Sequence, residues 1–239
     1  MYKLWTFQSK EVLDIIKKHG VYYSERDRVI DYLKSSIRVG EIYLDESIKR
    51  RLRSYDWMVS QMESKIGKRP KECCMPIWAF YEYDAQKKKY IDDVTVDEVG
   101  IELLIREENV VLTDYMLWHC ILNDLPIIPE DDEYYSFKEK AERCGYWGTN
   151  DKDYDNKSME FEECKEYKYK SWQRVFNVTS KGNSNNSKLA GPLKVLIGEI
   201  PFECILNSTD EENLNNSKLE DPIQACLWKI RSEDILNVY

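Results

Sequence analysis

The sequence predicts an α+β fold: a mixed, mostly antiparallel sheet with about four or five helices, in one compact domain over residues 1–239. Three observations predict it. Apolar residues recur at helical spacing in several segments that open on a capping residue. Short aromatic and β-branched runs lie between those segments, and two of them bracket a charged turn. The tail holds further apolar runs between Asn- and Ser-rich loops.

The elements follow in order. Residues 3–8, "KLWTFQ", predict a short strand. A helix follows over 9–19, with Ser9 as cap, Val12, Ile15, Ile16 and His19 on one stripe, and Gly20 as the left-handed stop. "VYY" is a second short extended piece. Residues 54–66 form the clearest helix, with Ser54 as cap and Tyr55, Met58, Val59, Met62 and Ile66 on one face. "MPIWAFYEY" (75–83) predicts a strand, with Pro76 at its start or at an edge. "VGIELLI" (99–105) and "NVVLT" (109–113) bracket Arg106-Glu-Glu and predict a hairpin.

Asp114 then caps a helix through "YMLWHCILN". Leu117, Trp118, Ile121 and Leu122 point inward, and Tyr115, His119 and Asn123 make a neighbouring polar stripe. Residues 126–157 are a polar, acidic insert with one short helix from Ser136 to Gly145. A longer helix covers 158–177, with Phe161, Lys165, Tyr169, Trp172 and Phe176 along one side. The tail predicts strands at 192–201, 202–206 and 222–230, and surface loops at 179–191 and 207–221.

Composition narrows the function classes. Seven cysteines with no C-x-x-C, and only two histidines, leave a zinc site little to draw on. Reduced thiols in a cytoplasmic protein are the expectation. The first residues carry charges too early for a signal peptide, and no apolar run reaches ~18 residues, so no membrane span is expected. A net charge of −9 argues against nucleic acid as the main partner. The chain has no G-x-G-x-x-G, P-loop, G-x-S-x-G or H-E-x-x-H. Cys120 beside His119 is not a catalytic pair, because adjacent helical residues point about 100° apart.

What remains is a set of aromatic-centred pieces: "LWTFQ", "YDWMVSQM", "PIWAFY", "TDYMLWH", "SWQRVF" and "IQACLWKI". In these pieces and their order, from Leu4 to Ile235, the chain resembles the bacterial family called domain of unknown function 3841. The resemblance implies one compact cytoplasmic domain and transfers no catalytic residues.

Two functions fit the residues. The first is a binder of, or an enzyme acting on, a nucleotide-like ligand. Trp78 or Tyr81 would stack a base, Arg174 or Arg53 would meet phosphate, and Gln8 of "LWTFQ" would add a polar contact. Asp114 and His119 would orient a hydroxyl or move a proton. In a sharper version the fold is ADP-ribosyltransferase-like and the cofactor is NAD. Such enzymes carry a catalytic Glu on a late strand; this chain offers Gln224 and Lys229 there, so Glu199 would stand in. The second function is a protein-interaction module of a small bacterial operon, using the acidic stretch Glu130–Glu166 to meet a basic partner. On its own, His119 fits a tethering residue at the edge of the core better than a catalyst.

Overall fold

A computed structural model describes residues 1–36, 41–81, 97–128, 131–146, 158–178 and 223–239. Within them the chain opens on β1 (Tyr2–Ser9) and α1 (Lys10–His19). Ser9 holds the N-cap position without a side-chain cap bond, and Gly20 closes the helix at φ 75°. Val12, Leu13 and Ile16 are buried, but His19 is exposed rather than inward. The buried stripe stops at Ile16, and the last turn, Lys17-Lys18-His19, faces solvent.

β2 (Val21–Tyr22) leads to α2 (Arg26–Ser36), in a stretch with no predicted element, and then to α3 (Glu41–Ile66). With α2 there are six α-helices among the described residues, one more than expected. Helix α3 begins well before the predicted start. Its first half is rich in Lys, Arg and Glu, which are good helix formers, and Ile48 and Leu52 continue the Tyr55 face upstream into the same cluster. Ser54 is therefore interior, not a cap. Its hydroxyl donates to Ile121 O at 2.7 Å.

β3 (Ile77–Tyr81) and β4 (Glu98–Ile105) follow, and then a 3₁₀ turn at Glu107–Asn109 and β5 (Val111–Asp114). β4 and β5 do not form the predicted hairpin. The six-stranded sheet runs β5-β6-β3-β1-β4-β8, with β6 at Ile223–Leu227 and β8 at Ile235–Val238. All its pairs are antiparallel. The turn between β4 and β5 carries the chain to the opposite edge, where β6 supplies the partner. A local turn signal fixes reversal of the chain but not which strand it joins. β7 (Ile230–Arg231) pairs with β2 in a small second sheet.

The remaining helices are α4 (Tyr115–Leu122), α5 (Asp131–Arg143) and α6 (Met159–Ser171). Helix α6 runs on into a 3₁₀ turn at Trp172–Phe176. Helix α5 starts before Ser136, which is thus no cap, and Gly145 at φ 69° ends that segment. In α6, Ser158 accepts from Phe161 N as an N-cap. Its buried residues are Phe161, Cys164, Lys168 and Ser171, a stripe rotated from the predicted one, with Lys165 only half-buried. The predicted strands at 192–201 and 202–206 and the Asn- and Ser-rich loops lie outside the described residues.

The sheet separates two apolar clusters. On its first face Leu4, Ala79, Leu103 and Ala225 meet Val12 and Ile16 of α1. On the second face Val111, Cys226 and Trp78 meet Met58 and Met62 of α3, Leu117 and Ile121 of α4, and Trp172. A smaller cluster joins α5 and α6 through Phe137, Ala141 and Cys164. Strand alternation and the pairing register set one row across the second face: Thr113, Gln224, Phe80, Trp5, Glu102, Asn237. At its far end Glu102 is buried and held by Lys3, Asn237 and Tyr239, which anchor β8.

Candidate functional site

The near end of that row, under α4, is the candidate site. Asp114 ends β5 and starts α4. Its Oδ1 accepts from Leu117 N at 3.0 Å, as an N-cap carboxylate does. Helix α4 then lays Trp118 against Trp78 of β3, with ring centroids 4.7 Å apart. Tyr55 of α3 stands edge-on to both indoles. Phe80 lies 6.3 Å from Tyr115, and Tyr115 lies 4.4 Å from His119. Trp78, Phe80, Tyr115 and His119 are half-buried, so this aromatic group reaches from the core to the surface.

On the face that carries Trp78 and Phe80, three buried polar atoms have no hydrogen-bond partner among the described residues: Trp78 Nε1, Gln224 Oε1 and Thr113 Oγ1. Asp114 Oδ2 is also unpaired among the described residues, but Asp114 pairs with Ile223 and belongs to the opposite face. Asp114 is 1% exposed and Gln224 8%. Their strands β5, β6 and β3 adjoin one another. An unpaired buried polar group costs about 1–3 kcal/mol, and native interiors hold few of them. Trp78, Gln224 and Thr113 share one face of adjoining strands, and this makes the spot the candidate site.

His119 donates Nδ1–H to Tyr115 O at 2.8 Å, which leaves Nε2 as an acceptor in the neutral ring. Burial holds its pKa below the ordinary histidine value, and the charge of Arg51 adds to that, while the Tyr115 bond opposes it. His119 is therefore a neutral imidazole at neutral pH. Its neighbour Cys120 is fully buried, and burial together with Asp114 pushes its thiol up to about 12. That thiol stays protonated and is no nucleophile.

The other predicted site residues divide. Tyr81 is three residues from Trp78 and lies on the opposite face, edge-on to Tyr2, so the two cannot wall one ligand. Gln8 donates to the Thr6 hydroxyl, which donates in turn to Trp78 O, so it supports β3 from behind. Arg53 is exposed on the outer side of α3. Arg174 is away from the aromatic group. It donates to Ile127 O and to Tyr167 Oη, and pairs with Glu133. Its neighbours Lys168, Ser171 and Trp172 hold the same loop after α4 through Asp124, Ile127 and Leu125. Arg174 is thus a structural residue. Glu199 lies outside the described residues.

Arg51, Gln224, Phe80 and Tyr55 were not predicted at the site. Arg51 is one helical turn before Tyr55, a signal readable only once α3 extends upstream of Ser54. Gln224 is visible in sequence as the polar residue of an apolar strand, but as an amide it offers no acid–base chemistry.

An all-antiparallel six-stranded sheet with helices on both faces defines a mixed α+β fold. The chain belongs to the family described as Domain of unknown function (DUF3841), whose model matches residues 3–236. No curated protein and no solved structure matches it. No helix among the described residues is long and apolar enough to cross a membrane.

Proposed function

We propose that this is a cytoplasmic bacterial protein that binds a nucleotide-like ligand, NAD among the candidates, under α4. One observation carries the reading: Trp78 Nε1, Gln224 Oε1 and Thr113 Oγ1, buried and unpaired among the described residues, share a sheet face with the half-buried rings of Trp78 and Phe80. A flat aromatic ligand needs both features, a stacking wall and fixed polar contacts. Trp78 and Tyr115 supply the wall. Arg51 takes the phosphate role first considered for Arg53 and Arg174. Neutral His119 accepts a proton from a ligand hydroxyl at Nε2. In the ADP-ribosyl-transfer version, Glu199 would stabilise the positive charge that develops on the ribose as nicotinamide leaves.

Thermal shift against NAD, ADP, GDP and short RNA tests this, with His119→Ala and Arg51→Ala in parallel. A ligand at about 100 times its dissociation constant stabilises by roughly 2.7 kcal/mol. A nucleotide shift that shrinks in both variants is the expected result. No shift with any ligand overturns the reading.

A second reading, the protein-interaction module, is favoured by the edge strand β8. Leu236, Val238 and the following Tyr239 are exposed there. A partner strand could add to that edge through main-chain hydrogen bonds. The two readings need different surfaces. Val238→Lys would weaken association and leave nucleotide binding alone.

A further inference from the structure

Helices α5 and α6 are antiparallel neighbours, tied by ion pairs of Lys140 with Glu163 and of Arg143 with Glu160. Between them lies the small apolar cluster that contains Phe137, Ala141 and Cys164, and Cys144 packs against it. Two cysteines therefore meet at one helix contact. Cys144 stands just past Arg143, the last residue of α5, and its thiol donates to Ala141 O at 3.6 Å. Cys164 lies inside α6 and is 1% exposed. The two thiols also hydrogen-bond to each other.

The other described cysteines are placed differently. Cys73 turns its thiol to Met75 O at 3.1 Å. Cys120 and Cys226 are fully buried in the cluster on the second face, beyond the reach of a reagent in solvent. Cys144 is half-buried, so such a reagent can reach it, and Cys164 waits beneath it. Burial, and then the Cys144 thiol, pushes the Cys164 thiol up to about 12. Cys164 thus stays protonated, and Cys144 is the group that reacts first. An accessible thiol beside a buried one is the arrangement of an attacking and a resolving cysteine.

We propose that Cys144 and Cys164 form a redox site that closes to a reversible disulfide, with a small-molecule disulfide such as oxidised glutathione as the oxidant. The Cys144 thiolate attacks one sulfur of the glutathione disulfide. That S–S bond breaks, one glutathione leaves as its thiolate, and Cys144 holds the other in a mixed disulfide. Cys164 gives its proton to solvent and attacks Cys144 Sγ, and the second glutathione leaves. Two protein thiols are oxidised and one glutathione disulfide is reduced to two thiols. The new bond ties the end of α5 to the middle of α6. Lys168, one turn further along α6, holds Asp124 just past α4, so the bond reinforces the element that anchors α4.

The test is peptide mapping of the folded full chain by mass spectrometry, after incubation with oxidised glutathione and blocking of the remaining thiols. The expected product is a Cys144–Cys164 linkage that excess reduced glutathione removes. The oxidised protein should melt several degrees above the reduced one, because the bond constrains the unfolded chain. Cys164→Ala should stop the reaction at Cys144 bound to glutathione. Cys144→Ser should leave Cys164 unmodified and the melting temperature insensitive to oxidised glutathione. In the unaltered chain, Cys144 carrying glutathione while Cys164 stays free overturns the inference. So does a linkage of either cysteine to a different one, or no modification of either thiol. A melting temperature that rises equally in Cys144→Ser does the same. None of these readouts involves a nucleotide, so their failure leaves the proposed ligand site under α4 standing.

Discussion

The two ends of α4 treat their polar groups in opposite ways. At the C-terminal end the described polar groups find partners within the fold. Asp124 turns the chain at φ 60°, and its carboxylate meets buried Lys168 at 2.8 Å. The ring of Tyr169 lies 4.8 Å from the same ammonium. Trp172 Nε1 donates to Leu125 O at 2.8 Å, and Ser171 Oγ accepts from Ile127 N at 2.9 Å. At the N-terminal end, among the described residues, Asp114 uses one oxygen and leaves the other unpaired, as Gln224 and Trp78 leave theirs. The first end fixes the helix in place. The second leaves buried groups unpaired among the described residues.

The largest effect should come from removing the anchor. Trp172 is 1% exposed and packs edge-on against Trp57. Trp172→Ala should destabilise the protein by about 3–5 kcal/mol, read from urea denaturation. A loss below about 1 kcal/mol would mean that α4 is held elsewhere.

Lys168 comes next. Removing one member of a fully buried ion pair costs about 3–5 kcal/mol, but the Asp124 side chain is 29% exposed and can recover some solvation. Lys168→Met should therefore cost about 2 kcal/mol, and the double change with Asp124→Asn should recover part of it. Strict additivity of the two changes would show that the pair contributes no coupling.

This asymmetry was only half legible in the sequence. The N-cap at Asp114, the inward Leu117, Trp118 and Ile121, and the polar stripe of Tyr115, His119 and Asn123 follow from short-range spacing, and α4 shows all of them. The anchor did not follow. Lys168 is not among the residues named along the predicted helix, because burial of a lysine depends on a distant carboxylate in the turn at Asp124. Arg174 reads as a phosphate ligand for the same reason: its partners Ile127 and Glu133 are remote in sequence. The missed hairpin is a third case. Strand character of 98–105 and 111–114 is local, while the choice of β6 as partner is made by the whole sheet.

At the unpaired end the effects on stability should be small. Asp114→Asn keeps an oxygen for Leu117 N and removes an unpaired anionic one, so stability should move by no more than about 0.5 kcal/mol. Asp114→Ala loses the cap and should cost about 1 kcal/mol. If Asp114→Asn is as damaging as Asp114→Ala, the charge itself has a partner and this end resembles the other.

The smallest effect is the pH dependence of His119, and it gives the finest comparison. Its folded pKa lies below the ordinary value of 6.5, chiefly through burial and further through Arg51. The unfolded chain therefore binds the proton first as the pH falls. Stability present at neutral pH is lost progressively from about 6.5 down to the depressed folded value and is level below that. In His119→Gln this contribution is absent, while the carboxylates that titrate at lower pH are common to both proteins. The melting temperature of His119→Gln relative to the parent should rise between pH 7.5 and pH 5. A gap that stays constant would mean that the imidazole is solvated and not part of a half-buried site. A gap that closes when NAD or GDP is present would place the ligand against the ring.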